Sequence, residues 1–220
     1  MAPDILTHGL RINDLTPGDA PTLFSYRSDA EVARFQSWLP GSITDARDFI
    51  VRNISNPFDQ NDSWYQLAVR SADTGKLLGD LGVHFLAGDR HQVEIGFTIA
   101  PEHQRQGLGT LAVAGLINYL FIMLKKHRVF ASIDPRNEAS LALVRRVGMR
   151  QEAHFRQSLF WKGEWVDDVV FGLLHSEWKN CPLPCSLEPQ PNTHEFPSSK
   201  GPVKQPQTLT KVDAGVEIGQ

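Results

Sequence analysis

The stretch from Val93 to Thr110 holds the residues whose types and spacing best suit chemistry. An alternating run ends at Ile99, the segment Ala100-Pro101-Glu102-His103 follows, and Gln104-Arg105-Gln106-Gly107-Leu108-Gly109-Thr110 leads at once into a helical pattern. Glycines let backbone approach a bound group closely, and the first amides of a helix point outward without partners. Reinforced by the helix dipole, such amides form a ready site for a diphosphate. One diphosphate that could use it belongs to a dinucleotide. Gly107-Leu108-Gly109-Thr110-Leu111-Ala112 matches the dinucleotide fingerprint, and Asp134 closes a strand about twenty-five residues later, where a ribose-binding acid would stand. That fingerprint needs its first glycine at the turn directly after the strand, whereas here Ala100 to Gln106 intervene.

The elements that must position this loop can be read from periodicity. Leu10 to Leu15 alternates as a first strand. Thr16 offers an N-cap and Pro17 a first helical residue for a helix toward Ser28, with further helices over Asp29 to Phe35 and from Thr44 or Asp45 to Asn53. Strands follow at Trp64 to Arg70, Leu77 to Leu86 and His91 to Ile99, joined by connections so short that they are antiparallel hairpins. A long apolar helix spans Gly107 to Lys126, where Lys125, Lys126 and His127 suit a helix C-terminus. Arg128 to Asp134 reads as a strand, and Asn137 to Val147 as a helix closed by Gly148. Met149 to Trp161 and Trp165 to Leu174 form a final hairpin that turns at Lys162-Gly163-Glu164. A meander that enters a helix and then a new strand forces one parallel crossover into a mostly antiparallel sheet. The expected class is therefore mixed α/β, flanked by helices, and not a doubly wound parallel sheet.

Composition sets the bounds. In a chain of 220 residues with 41% apolar residues, Cys181 to Gln220 carries seven of the fourteen prolines and a single aromatic residue, Phe196. Residues 1–180 are expected to be the folded domain and 181–220 a Pro-rich disordered tail. A net charge of −3 supplies no basic field for nucleic acid. The N-terminal sequence has no secretory pattern, and the apolar run from Leu111 to Leu124 is too short to cross a bilayer. A cytoplasmic protein with no membrane and no nucleic-acid partner is expected. Cys181, Cys185 and His194 do not complete a zinc site, so no metal is expected.

Gln104-Arg105-Gln106-Gly107-Leu108-Gly109 resembles the Gln/Arg-x-x-Gly-x-Gly/Ala signature of the GNAT N-acetyltransferases, and the likeness extends over nearly all of residues 8–178. Asn137-Glu138-Ala139-Ser140, the Gly148-Met149 ending and the hairpin Trp161-Lys162-Gly163-Glu164-Trp165-Val166-Asp167 further resemble the RimJ/RimL-like branch, which includes acetylases of ribosomal-protein N-termini. The resemblance implies the acyl-CoA N-acyltransferase fold, whose central parallel strands, here His91–Ile99 and Arg128–Asp134, splay apart. It implies acetyl-CoA as acetyl donor, with its pantetheine arm paired to backbone of Phe97, Thr98 and Ile99. Gln104, Arg105, Gln106, Gly107, Leu108, Gly109 and Thr110 would hold the diphosphate, and Asn137 would bond the pantetheine. It also admits a homodimer.

The implied reaction is acetyl transfer to a primary amine, a protein N-terminus or a small polyamine-like or aminoglycoside acceptor, by direct attack in a ternary complex. A module that binds acyl-CoA without turnover is the alternative. An alkyl amine with a pKa near ~10 costs about 4 kcal/mol to deprotonate at pH 7, and a protein α-amine near ~8 about 1 kcal/mol. A base is therefore useful, and Glu94, beside the implied thioester, is the candidate, acting through a water. Strand amides near Phe97 or Thr98 would serve the oxyanion. Many relatives carry a tyrosine after the asparagine, where this chain has Val144, so the donor to the departing sulfur is in question and Ser140 is the candidate. Trp38, between the early helices, would border the acceptor pocket. His84 reads as a structural histidine, and Trp161 and Trp165 as partners packed across their hairpin.

Overall fold

The computed structural model describes residues 2–178, and the expected tail at 181–220, with Cys181, Cys185 and His194, lies outside the described residues. Among the described residues, eight strands form one sheet: β1 (Ile5–Thr7), β2 (Leu10–Asp14), β3 (Ser63–Ser71), β4 (Leu77–Phe85), β5 (Gln92–Ile99), β6 (Arg128–Ile133), β7 (Arg150–Trp161) and β8 (Glu164–Leu174). Their spatial order is β1-β2-β3-β4-β5-β6-β8-β7. Every neighbouring pair is antiparallel except β5 and β6, which run parallel. The helices are α1 (Ala20–Arg27), α2 (Ala30–Ala33), α3 (Ile43–Ser55), α4 (Leu108–Ile122), α5 (Glu138–Arg146) and α6 (His175–Trp178). The mixed α/β class and the single parallel crossover expected from the sequence are both present. A doubly wound sheet, which the dinucleotide reading of Gly107–Ala112 requires, is not.

Alternation splits the core in two. Leu67 and Val69 of β3 join α4 residues such as Leu116, Ile117 and Leu120 in one buried cluster. Ala68, which points the other way, packs with Leu23 of α1 and Ile50 of α3 in the second. Helix α4 is apolar almost all round because one side meets the sheet and another meets α5 and α6, where Trp178 donates to Asn118 at 2.9 Å.

Three local expectations shift. Strand β1 precedes the expected first strand, hairpinned to β2 through His8 and Gly9, both at positive φ, a two-residue turn type common in hairpins. Helix α3 starts at Ile43 because Ser42 caps it, accepting from the Asp45 amide at 3.1 Å. Helix α4 stops at Ile122, short of the expected Lys126. Lys125 turns left-handed, and Lys126 is buried with its ammonium on Asp59 at 2.6 Å and the Arg90 carbonyl at 2.9 Å. That charge is spent on a loop and not on the helix end.

Candidate functional site

The parallel pairing of β5 with β6 covers only Gln92↔Arg128, Val93↔Val129 and Glu94↔Phe130. Beyond Glu94 the strands part, while β5 remains paired to β4 through Ile99 and β6 to β8 through Ile133. The result is a fork with Glu94 at its vertex. Strand alternation identifies the free groups. The Ala100 amide donates to Leu78 of β4 at 2.9 Å, so the main-chain groups of Thr98 and Gly96 also face β4. Those of Ile95, Phe97 and Ile99 face the open fork. Phe97 and Ile99 therefore turn main-chain groups toward the fork, the Ile99 carbonyl already accepting from Gln104, whereas the Thr98 main chain is committed to β4. The Thr98 side chain is buried, and its hydroxyl has no hydrogen-bond partner among the described residues.

At the wide end of the fork stands the start of α4. Gly107 is the N-cap at φ +79°, with no side chain to cap the helix, and the Leu111 amide makes the first intrahelical bond, to the Gly107 carbonyl at 3.2 Å. The amides of Leu108, Gly109 and Thr110 precede the first helical acceptor. The two glycines serve different ends. At Gly107 nothing lies within 4 Å of a would-be Cβ, and the positive φ is the constraint. At Gly109 a Cβ would stand 2.9 Å from Leu143 Cδ1 and 3.2 Å from Ile99 Cγ1, so close packing is the constraint.

The loop side chains divide between bracing and display. Gln104 donates to the Ile99 carbonyl at 2.9 Å and Gln106 to the Glu102 carbonyl at 3.2 Å, which fixes the loop. Arg105 is exposed at φ +59°, and Leu108 packs on the core. A group outside the signature joins them: Arg146, in the last turn of α5, donates to the Thr110 hydroxyl at 3.3 Å and brings a second cation to the start of α4. Nothing in the sequence pattern marks it, because a basic residue there reads equally well as a complement to the dipole of α5.

Over the opened part of the fork, beyond the vertex, lies a cavity of about 430 Å³ bordered by Ile95 to Phe97 of β5 and Ala131 to Asp134 of β6 and its following loop. Its wall includes Trp38, Trp64 and Trp161, the carboxylates of Glu94, Asp134, Asp167 and Asp168, and Asn137 and Ser140. The expected catalytic candidates, the acceptor-pocket tryptophan and the asparagine thus share one space. Asn137 caps α5, its Oδ1 accepting from the Ser140 amide at 3.1 Å, which leaves its amide nitrogen for another acceptor. Ser140 therefore sits one turn into α5, facing the cavity, while Val144 is fully buried in the core. Trp38 both lines the cavity and stacks on Phe49, with ring centroids 4.3 Å apart.

The acids are unevenly engaged. Donation by Arg136 holds Asp134 below the usual carboxylate range. This bond also occupies the group that a dinucleotide ribose would need. Donation from the Gln157 amide at 2.9 Å and from His154 at 2.7 Å lowers Asp167. Asp168 accepts from Ser132 at 2.6 Å. Glu94 meets His84 Nδ1 at 3.2 Å.

Trp161 and Trp165 do not pack on each other. Phe160 is opposite Trp165 and Trp161 opposite Glu164, so alternation puts the two tryptophans on opposite faces. Trp165 packs edge-on with Phe160, and Trp161 turns into the cavity and donates to the Arg34 carbonyl at 3.4 Å. Lys162 at the tip donates to the Ala33 carbonyl, which ties the hairpin to α2.

Beneath the cavity is a buried network. Asp80, with no exposed surface, accepts from the Tyr26 hydroxyl at 2.6 Å, from Arg27 through two nitrogens, and from Gln66. Burial, reinforced by the Asp80 charge, pushes the Tyr26 phenol well above its ordinary value. Arg27 extends its remaining amine to Gln36 Oε1 at 2.8 Å, on the cavity rim beside Trp38.

Comparison with known proteins agrees with this fold. Residues 10–150 match the family described as acetyltransferase (GNAT) domain. The uncharacterized N-acetyltransferase YnaD of Bacillus subtilis is 27% identical over 177 residues, which are 79% of this chain and 98% of that protein. The [ribosomal protein uS5]-alanine N-acetyltransferase of Escherichia coli is 26% identical over 124 residues, 56% of this chain and 64% of the other. Among solved structures, spermidine N-acetyltransferase of Vibrio cholerae in complex with CoA and spermine superposes with a TM-score of 0.67 at 20% identity, covering 78% of this chain and 99% of that one.

Proposed function

Because the chain belongs to the GNAT acetyltransferase family, we propose that it moves the acetyl group of acetyl-CoA onto a primary amine, in a ternary complex, with Glu94 as base. The observation that carries this reading is the fork. It parts directly beyond Glu94, its free edge is formed by the main chain of Phe97 and the amide of Ile99, and it opens onto the uncapped start of α4.

Acetyl-CoA, when bound, supplies an activated acetyl thioester. The residues present fit it. Alternate main-chain groups of β5 are free for an arm that bonds like a strand, the amides of Leu108, Gly109 and Thr110 converge for a diphosphate, and Arg105 and Arg146 add positive charge. Asn137 offers its amide nitrogen. Acting through a water, Glu94 takes a proton from the amine as the new N–C bond forms and the C–S bond breaks. The Ser140 hydroxyl is the donor available to the departing sulfur, since Val144 carries none.

The acceptor enters the cavity between Trp38, Trp64 and Trp161, where indole faces and carboxylates favour a cation. A relative named for a ribosomal-protein alanine and one named for spermidine support an amine-bearing acceptor. A ribosomal acceptor would place the reaction in the cytoplasm. The test is thiol release across N-terminal peptides, polyamines and aminoglycosides, repeated with Glu94→Gln. The proposal expects turnover with at least one class and a loss of roughly 10²-fold or more in kcat in the variant. Tight CoA binding with no turnover on any amine would make the protein a binding module instead.

A further inference from the structure

The geometry points to His84 as the residue that positions Glu94 for catalysis, a role that rests on Glu94 being the base. Trp64, His84 and Glu94 are directly opposite one another on β3, β4 and β5 and therefore project from the same face of the sheet. The row lies at the vertex of the fork, since Glu94↔Phe130 is the last pair between β5 and β6.

The contacts within the row form a chain of constraint. Trp64 and His84 are stacked, with centroids 4.7 Å apart and planes 8° from parallel. The Trp64 ring leans over Gly82, where a Cβ would come within 3.1 Å of it, so the absence of a side chain there makes room for the indole. The stacked imidazole directs Nδ1 at Glu94 Oε2, 3.2 Å away. A carboxylate only accepts, so Nδ1 carries the proton and donates. One oxygen of Glu94 is thereby held, and the other is left for the acceptor amine. Both side chains remain about a quarter exposed, at 24% and 23%, and Glu94 borders the cavity. An unrestrained glutamate samples several rotamers, and a misplacement of about 1 Å in a reacting group costs up to ~10²-fold in rate.

The test is a double-mutant cycle on kcat with His84→Ala, Glu94→Gln and the pair, with CoA affinity measured by calorimetry in each. The expected result is a fall of about 10–100-fold in kcat for H84A, CoA affinity within about twofold of wild type, and no further fall when H84A is added to E94Q. His84→Asn, whose amide nitrogen replaces Nδ1, should recover most of the rate, whereas His84→Gln, which places its donor one bond further out, should not. Equal losses from H84A in both backgrounds, or no loss with Glu94 intact, would overturn the positioning role while leaving Glu94 as base. An E94Q enzyme as fast as wild type would overturn the base and the inference together. Should H84A fail to fold, H84N and H84Q complete the same cycle, and equal activity of the two would reject the role.

Discussion

Asp80→Asn is expected to be the most damaging single isosteric change in the domain. Asp80 is fully buried, and the Arg27 side chain it pairs with is only 8% exposed, so water cannot replace the lost charge. The substitution keeps an acceptor for Tyr26 but sets an amide NH2 against Arg27 and Gln66, both of them donors. Breaking a buried pair so that one charge stays behind costs about 3–5 kcal/mol. At about 2–4 °C per kcal/mol for a domain of this size, Tm should fall by about 6–20 °C. Adding Arg27→Met removes the stranded charge, and Gln66 can turn its amide to accept. The double variant should therefore be more stable than D80N alone by about 2 kcal/mol. Urea titrations and thermal melts of the four proteins give the cycle. Because Arg27 also holds Gln36 on the cavity rim, D80N should raise KM for the amine more than KM for acetyl-CoA. A loss below about 1 kcal/mol in D80N, or a double variant less stable than the single, would refute the view that Arg27 is an unscreened buried cation.

The two loop glycines should respond oppositely to asparagine. At Gly107, where only φ is limiting, Asn should be tolerated better than Ala, which costs about 1–2 kcal/mol; at Gly109, where space is limiting, Asn should be worse than Ala. Thermal shift with and without CoA distinguishes the two orders. Burial pushes the Asp19 carboxyl upward, but Arg70, donating at 2.7 and 2.6 Å, with the Thr16 amide and hydroxyl, outweighs it and holds the acid below its ordinary value. A depressed folded-state value means that this stabilisation is complete above the unfolded value near ~4 and is lost as pH falls through the folded one. Asp19→Asn should flatten the acid limb of stability measured by urea titration below about pH 4; an unchanged slope would contradict the assignment. A chain ending at residue 180 should fold and bind CoA as the full chain does, measured by melting temperature and calorimetry. Loss of the folded protein would show that residues beyond 180 belong to the core.

Much of this architecture is legible in the residues because local pattern and global fold agree. The hairpin turns, the Gly107 cap and the Asn137 cap are each set by residues within a turn of one another. The vertex acid Glu94 could be named because it lies on the strand that leads into the glycine loop. What escaped depends on register or on distant partners. Whether Thr98 or its neighbours face the fork is decided by the bond from Ala100 to Leu78, and a shift of one residue would reverse it. Arg27 and Asp80 are 53 residues apart, Arg146 and Thr110 are 36 apart, and no periodicity links either pair. The expected packing of Trp161 on Trp165 fails because adjacency across a turn says nothing about face until the pairing of Phe160 with Trp165 is known. The contact of His84 with Glu94 is equally hidden, because it exists only once β4 brings the two level.

The measurement closest to the central claim is residue-resolved amide exchange by NMR, with and without saturating CoA. If the fork edge and the start of α4 grip the coenzyme, Phe97 or Ile99 and at least two of Leu108, Gly109 and Thr110 will exchange more slowly on binding. Thr98, already bonded to β4, will change little. Saturated protein in which those amides exchange as before, with protection arising elsewhere on the domain, would contradict the account.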